Sequence, residues 1–312
     1  MESNLIRLSK KIILIAGPTC SGKSNLAIYI AKKINGEIIN ADSMQVYKEF
    51  SLLSSRPCKK DLNKIKHHLY GFISAKDHFS TGAWLKFVKK QINKCVKNKK
   101  IPILVGGTGL YFNAIIKGIS KIPNIDKRTR IKIRNLYNKL GATAFYQKLL
   151  TLDPKIKNKI LLTDTQRVLR AYEVKFKTKK SLYDWATNTK SDFLNYDIKK
   201  IFIDTPRDKL LKKISLRTEK MFFNNCIKEV KNFISIKCDK SLSANKIIGV
   251  KEIMDHLNGK LTLKEVKELI NIRTRQYAKR QNTWSRGYML NWQRIYSNDL
   301  YNLRKKVLKA IS

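Results

Sequence analysis

Apolar residues in the first third of the chain fall into two alternating patterns. Ile12, Ile13, Leu14, Ile15 and Ala16 make an unbroken run, after which Leu26, Ala27, Ile30, Ala31 and Ile34 recur at helical spacing. A second short run, Glu37-Ile38-Ile39-Asn40, follows as the next parallel strand should. Trp84, Phe87, Val88, Ile92, Cys95 and Val96 then mark an amphipathic helix, which leads into a third run, Ile101-Pro102-Ile103-Leu104-Val105. Short apolar runs separated by helices predict buried strands of a parallel sheet. Between the second and third runs, residues 51–80 are polar and irregular, with Pro57 and the pair His67-His68, and predict loop.

Around Ser120 the texture changes. From Ile125 to about Trp185 there are no strand-like runs, only basic helical ones. One covers residues 128–140. Another covers 164–176, with Val168, Leu169, Tyr172 and Phe176 on one face and Asp164 or Thr165 as its cap. Lys200-Ile201-Phe202-Ile203-Asp204 returns to strand, Thr205-Pro206 makes a turn, and a helix starts at Asp208. Residues 221–312 read as helical, with a turn over 248–252 and a basic helix over 274–281 ending near Trp284. The whole predicts an α/β protein. Residues 1–120 and 195–312 form a phosphate-loop kinase-like core with a parallel sheet and a helical C-terminal part, and residues 121–194 form an inserted all-helical subdomain.

The turn after the first run is GPTCSGKS: Gly17, Pro18, Thr19, Cys20, Ser21, Gly22, Lys23, Ser24. It fits G-x-x-x-x-G-K-[ST] in its required setting of strand, turn and helix. Glycines let backbone N–H groups curl around an anion, and the helix N-terminus adds partial positive charge. Lys23 reaches outer phosphate oxygens, and the Ser24 hydroxyl is placed to ligate Mg²⁺. The second run ends in Ala41-Asp42-Ser43-Met44-Gln45-Val46-Tyr47, and loops at the C-terminal ends of parallel strands border the ligand crevice. Asp42 is therefore either a carboxylate beside the phosphate loop or an N-cap of a following turn, and position alone leaves both open. The third run ends in Gly106-Gly107-Thr108-Gly109, again on the ligand edge. The helix from Asp208 carries Lys212, Lys213 and Arg217, as in kinases whose arginine folds over the phosphates. Asp204 reads as a turn residue or a second Mg²⁺ carboxylate. His67-His68 lacks a third ligand at suitable spacing and reads as structural.

Composition narrows the partners. A formal charge of +43 over 312 residues attracts polyanions, nucleic acid above all, although the excess of Lys, Ile and Asn also fits drift in an AT-rich genome. No run is long enough to cross a bilayer, and residues 1–11 lack the apolar stretch of a secretion signal. Five cysteines, with no C-x-x-C pair, point to free thiols in a reducing cytoplasm and to no zinc site.

Taken in order, GPTCSGKS, ADSMQVY, HHL at 67–69, ILVGGTGLY, TQRVLRAYEV and TRQYAKRQNTW resemble the bacterial tRNA dimethylallyltransferases over residues 12–284. The resemblance implies transfer of the dimethylallyl group from dimethylallyl diphosphate to N6 of adenine 37, beside the anticodon, in tRNAs that read codons beginning with U. It implies that the loop binds a prenyl diphosphate, that the helical subdomain holds the anticodon stem-loop, and that the target base flips into a channel through the core. By residue, Asp42 matches the general base, Ser24 the Mg²⁺ ligand, and Lys23 and Arg217 the groups that stabilise the leaving diphosphate. Ser43, Met44, Gln45 and Thr108 match contacts to the flipped base and its neighbours. Arg130 and the run Gln166, Arg167, Val168, Leu169, Arg170 match the anticodon-loop contacts. The chain departs from the pattern at Val250, where the family has tyrosine, at Asn225-Cys226, where it has glycine, and at Lys213, where arginine is common. A small-molecule kinase or NTPase would use the same loop, and a non-catalytic RNA-binding protein would account for the charge. The expectation is an enzyme that acts as a cytoplasmic monomer, with no membrane and no protein partner.

Overall fold

A computed structural model of the chain describes residues 10–187, 189–296 and 300–311. Residues 1–9, most of the stretch read as lacking a secretion signal, lie outside the described residues. The chain divides into two compact units, one of residues up to Ile115 together with those from Asn195 onward, the other Ile116–Leu194.

The first unit is built on a six-stranded, wholly parallel sheet. In chain order the strands are β1 (Lys11–Ala16), β2 (Gly36–Asn40), β3 (His67–His68), β4 (Ile101–Gly106), β5 (Asp197–Asp204) and β6 (Gln293–Tyr296), and in space β3-β2-β4-β1-β5-β6. Helix α1 (Lys23–Lys33) carries the chain from β1 to β2 and α3 (Thr81–Lys97) precedes β4, while the short α2 (Lys59–Leu62) lies in the loop before β3. The first crossover leaves β1 on one side and the path after β4 returns on the other. The turns after these two neighbouring strands therefore flank a topological switch point, the usual crevice for a ligand.

The apolar runs are explained by this placement. Ile12 to Ile15 have no exposed surface, since β1 lies between β4 and β5 and is covered on both faces. Pro102 sits in central β4 without penalty. Pairing with β1 begins only at Ile13↔Ile103, so the missing N–H falls before that ladder starts. Gly106 ends β4 against the backbone of Ala41, where a Cβ would stand 2.0 Å from the Ala41 carbonyl oxygen. Only glycine allows the two strand ends to come that close.

Two parts of the sheet depart from the sequence reading. The polar stretch 51–80 contains β3, two residues long and paired to β2 by Ile38↔His67 and Ile39↔His68. The last third is not wholly helical: β6 adds a sixth strand beside β5, from Ile201↔Gln293 to Asp204↔Tyr296. Both are edge strands too short and too polar to show a hydrophobic period. Asp204 bonds Arg294 Nη1 through Oδ2 at 2.8 Å, so an ion pair with β6 takes up this carboxylate.

Helices α8 (Arg207–Phe223), α9 (Cys226–Ser235), α10 (Val250–Leu257) and α11 (Leu263–Tyr288) follow β5, and α12 (Leu300–Ile311) follows β6. Met221, Val230, Phe233, Val250, Ile253, Val266 and Ile270 pack with Val46, Tyr47, Phe50 and Leu53 into a second core beside the strand ends. Val250 is 1% exposed and belongs to this core. Asn225 caps α9 at φ 62, a left-handed conformation that asparagine tolerates better than other side-chain-bearing residues, which explains how it replaces glycine there.

Helix α4 (Gly109–Lys117) runs from the first unit into the second. The second unit holds α5 (Lys127–Leu152), α6 (Thr165–Thr178) and α7 (Leu182–Thr187), and no strand among the described residues. α5 runs past the predicted end at Leu140 because a kink at Gly141 (φ 73) joins a second helical segment to the first. Asp164, rather than Thr165, caps α6, its side chain accepting from Arg167 N–H. Phe145, Leu149, Ile156, Val168, Ala171 and Tyr172 form the core of this unit.

Candidate active site

The GPTCSGKS turn closes on itself before α1. Ser21 N–H donates to the Pro18 carbonyl at 3.2 Å, Cys20 and Gly22 adopt left-handed φ of 63 and 86, and Gly22 forms the N-cap of α1. Lys23 Nζ donates to the Pro18 carbonyl at 2.9 Å, so its side chain folds back over the loop. Thr19, Cys20, Gly22, Lys23 and Ser24 line a cavity of about 560 Å³. Gly17 lines a neighbouring cavity of about 270 Å³ instead, and Ser21 is buried with its hydroxyl beside Gly17 and without a hydrogen-bond partner. The far end of the chain holds the loop in place. Gln281 on α11 accepts from Thr19 N–H at 2.8 Å and donates to the Gly107 carbonyl at 3.0 Å, tying the turns after β1 and β4 together.

Asp42, Ser43, Met44 and Gln45 line the same larger cavity from the end of β2. Asp42 Oδ1 accepts from Met44 N–H at 2.9 Å, so the carboxylate does cap its own turn, as one of the two sequence readings has it. It also faces the cavity, and the two readings do not exclude each other. Ser43 N–H donates to Thr108 Oγ1 at 2.9 Å and the two hydroxyls meet at 3.2 Å, which joins the exits of β2 and β4. Thr108 itself lines the smaller cavity, and Ser43, Tyr277 and Arg280 line both. Gln45 donates to the Ser54 and Ser55 carbonyls at 2.9 and 3.0 Å.

Arg217 on α8 closes the site opposite. Its Nη1 donates to Thr19 Oγ1 at 2.6 Å and its Nη2 to the Leu53 carbonyl at 3.0 Å. The Leu53 turn is in turn gripped by Glu229 of α9, whose carboxylate accepts from Ser51, Leu52 and Leu53 N–H at 2.5, 2.8 and 2.9 Å and from the Ser51 hydroxyl at 3.0 Å. Neither Glu229 nor Gln281 carries a sequence signal of its own, although Gln281 falls inside the basic helix read from the pattern. Glu229→Ala leaves three N–H groups without their acceptor and lowers stability by about 1–3 kcal/mol, with Gln in between. Urea denaturation checks this, and an unchanged midpoint for Ala would show that the turn holds without Glu229.

The electrostatics of the cavity are shaped by burial. Burial lowers the Lys23 ammonium below the ordinary lysine pKa, Asp42 and Cys20 pull it back up, and Arg217 adds to the lowering. Tyr70, Tyr111 and Tyr277 are all raised above the usual phenol value, by burial first and by the Asp42 charge second. Three neutral phenols around one carboxylate keep its surroundings poor in other negative charge.

Comparison with known proteins decides the family. Residues 45–288 match the family described as IPP transferase. The chain belongs to the IPP transferase family. It is 54% identical over 300 residues to the tRNA dimethylallyltransferase of Pelagibacter ubique, an alignment that takes in 96% of each chain. It is 42% identical to that of Rickettsia felis, over 88% of this chain and 89% of the relative. Among solved structures it resembles the full-length tRNA isopentenylpyrophosphate transferase of Bacillus halodurans, with TM-score 0.70, 29% identity and coverage of 96% and 95%. It also resembles a eukaryotic dimethylallyltransferase described as acting on tRNA, with TM-score 0.82, 27% identity and coverage of 96% of this chain and 77% of the other. The phosphate-loop, kinase-like class of the core agrees with these neighbours.

In this IPP transferase family member the remaining predicted residues lie in the helical unit. Gln166 and Arg167 are exposed on α6 and Arg170 is half-buried beside Glu173 (3.6 Å). Burial lowers the Arg170 pKa, Glu173 counters, and nearby Arg130 adds to the lowering. Val168 is a correction. It is 1% exposed in the core of the unit, because it lies on the apolar stripe of α6, so its side chain offers no contact surface. Leu169 is half-buried against the same core.

The fold also gathers a group that spacing along the chain hides. His68 Nε2 lies 2.6 Å from Glu37 Oε2, and the Cys95 thiol donates to the same oxygen at 3.5 Å. These three have metal-ligand chemistry and stand within 4.8 Å of one another. They already satisfy each other, however, and burial together with Glu37 pushes the Cys95 thiol up to about 12, away from the thiolate a metal needs. The trio pins short β3 to β2 and α3. Among the described residues no helix is long and apolar enough to cross a membrane, and the five cysteines are free.

Proposed function

We propose that the chain transfers the dimethylallyl group of dimethylallyl diphosphate to N6 of adenine 37 in tRNAs that read codons beginning with U. The carrying observation is convergence. Phosphate loop, Arg217 and Asp42 meet around one cavity, in a chain 54% identical to a tRNA dimethylallyltransferase.

The diphosphate takes the loop amides, Lys23, Thr19 and Arg217, which meets the requirement that donors be in place where charge develops on the leaving group. The five-carbon tail takes the apolar wall of Leu53, Met221, Ile247, Ile248 and Ile270. The cavity carries a hard oxygen donor, the exposed Ser24 hydroxyl, which suits Mg²⁺ with phosphate oxygens and water as its other ligands. Ser24 would hold the ion, and the ion neutralises diphosphate charge when bound. The flipped adenine presents N6 to Asp42, with Ser43, Met44, Gln45 and Thr108 around the base and its neighbours. The N6 lone pair forms the new bond to C1 of the donor as the C1–O bond breaks. The N6 proton passes to Asp42, and diphosphate leaves. The exocyclic amine is a poor nucleophile because its lone pair is delocalised, so removal of the proton as the bond forms is the help it needs. Arg130, Gln166, Arg167 and Arg170 grip the anticodon stem-loop, and the formal charge of +43 favours that encounter. The enzyme works as a cytoplasmic monomer.

The test is direct. Protein, unmodified tRNA reading UNN codons, dimethylallyl diphosphate and Mg²⁺ are incubated, and the digested RNA is searched by mass spectrometry for N6-dimethylallyladenosine. Its absence with folded protein, alongside phosphoryl transfer from ATP, returns the loop to the kinase reading. Cys20 gives an independent probe, since it lines the cavity whereas exposed Cys58 does not. Diphosphate with Mg²⁺ slows alkylation of Cys20 several-fold and leaves Cys58 unaffected, as read by peptide mass spectrometry. Equal protection of both, or of neither, counts against diphosphate in the loop.

A further inference from the structure

We propose that Asn40 is a positioning residue for the reaction, one that sets the orientation of the Asp42 carboxylate. Asn40 is the last residue of β2 and has no exposed surface. Its Oδ1 accepts from Asp42 N–H at 2.8 Å, and its Nδ2 donates to the Asp42 carbonyl at 3.0 Å. The peptide groups on both sides of Asp42 are therefore held by one amide. A buried leucine of the same size would fill the space and hold neither.

The side-chain amide has one further partner, and the main chain of Asn40 has another. Nδ2 also donates to the Leu69 carbonyl at 3.0 Å, and Trp84 Nε1 donates to the Asn40 carbonyl at 3.0 Å. Leu69 has φ 63, a conformation that costs a leucine and persists only where the surroundings impose it. Its neighbour His68 is held against Glu37 by a 2.6 Å contact. Trp84 stacks on Tyr111 with ring centres 3.9 Å apart. With its backbone set by Asn40 and its Oδ1 turned to Met44 N–H, Asp42 is left little rotational freedom. A carboxylate that must meet one proton of a transiently flipped base gains from that, because a misplacement of about 1 Å can cost about 10²-fold in rate.

The proposal rests on the reading of Asp42 as the base, and a double-mutant cycle separates the two. Asn40→Ala, Asp42→Asn and the double variant are compared in single-turnover prenylation of tRNA, with KM for dimethylallyl diphosphate and the thermal midpoint measured alongside. Asn40→Ala lowers the rate about 10- to 100-fold and leaves donor KM within about two-fold, since the phosphate loop hangs from β1. In the Asp42→Asn background the same change has almost no effect, because the group it orients no longer takes the proton. Asn40→Ser, whose hydroxyl can accept from Asp42 N–H more weakly, recovers part of the rate and carries the cycle if the alanine variant does not fold. Additive losses, or a fall in stability with an unchanged rate, overturn the positioning role. An Asp42→Asn rate equal to wild type overturns the base, and the Asn40 proposal with it.

Discussion

Asp42→Asn lowers the rate of prenyl transfer by about 10²–10⁴-fold, the span general-base catalysis contributes, while donor affinity and fold stay intact. Asparagine keeps an oxygen for Met44 N–H, so the turn that Asp42 caps survives, and only the proton acceptor is lost. Alanine would remove cap and acceptor together and confuse the two roles. The measurement is the single-turnover rate with saturating donor and tRNA, beside far-ultraviolet circular dichroism and a binding isotherm for tRNA. Loss of rate with preserved binding places Asp42 on the reacting atoms. A rate within three-fold of wild type would mean that another group takes the proton. Tyr70, Tyr111 and Tyr277 are poor substitutes, since burial holds all three phenols above their usual pKa.

Lys23→Met costs about 10²–10³-fold, the scale of losing one preorganised donor to a developing charge. Methionine keeps most of the length and loses the ammonium. In the resting site that ammonium bonds the Pro18 carbonyl. A diphosphate must draw it away, and gains a strong partner by doing so. The pH dependence has a definite sign. Burial lowers the Lys23 pKa, so donor binding weakens, as pH rises, earlier than an ordinary lysine would allow, and bound diphosphate pushes that pKa back up. kcat/KM for the donor therefore falls on the alkaline side before kcat does, and the difference between the two limbs disappears in Lys23→Met. Identical limbs in the wild type would remove Lys23 from diphosphate binding. An unchanged KM for tRNA in the variant separates this defect from a general loss of structure.

The contrast between these residues and their supports shows which facts about the protein lie in residue order. The phosphate loop, the buried strands beside it and the helix-period stripes are local: hydrogen-bond geometry and a period of two or 3.6 operate over a few residues. A GKS turn between an apolar run and an amphipathic stripe therefore announces itself. So do the helical stretch after Ser120 and, through six ordered motifs, the family. Position within a stripe is less safe, as Val168 shows. It belongs to a motif run that resembles an RNA contact, yet it faces the core, because five successive helical residues cannot all point outward.

What tertiary structure alone decides is the company each side chain keeps. Arg217 meets Thr19 across 198 positions, Gln281 meets it across 262, and Glu229 grips the Leu53 turn across 176. β3 and β6 become strands only because β2 and β5 offer them a partner. Asn40 reads as an ordinary strand end until the fold lays Asp42, Leu69 and Trp84 around it. Residue order determined that this chain has a glycine-rich GPTCSGKS turn, a parallel core and a basic helical unit. Which carboxylate the core holds still, and with which amide, was decided by packing, because a buried polar group must find its partners in space and not along the chain.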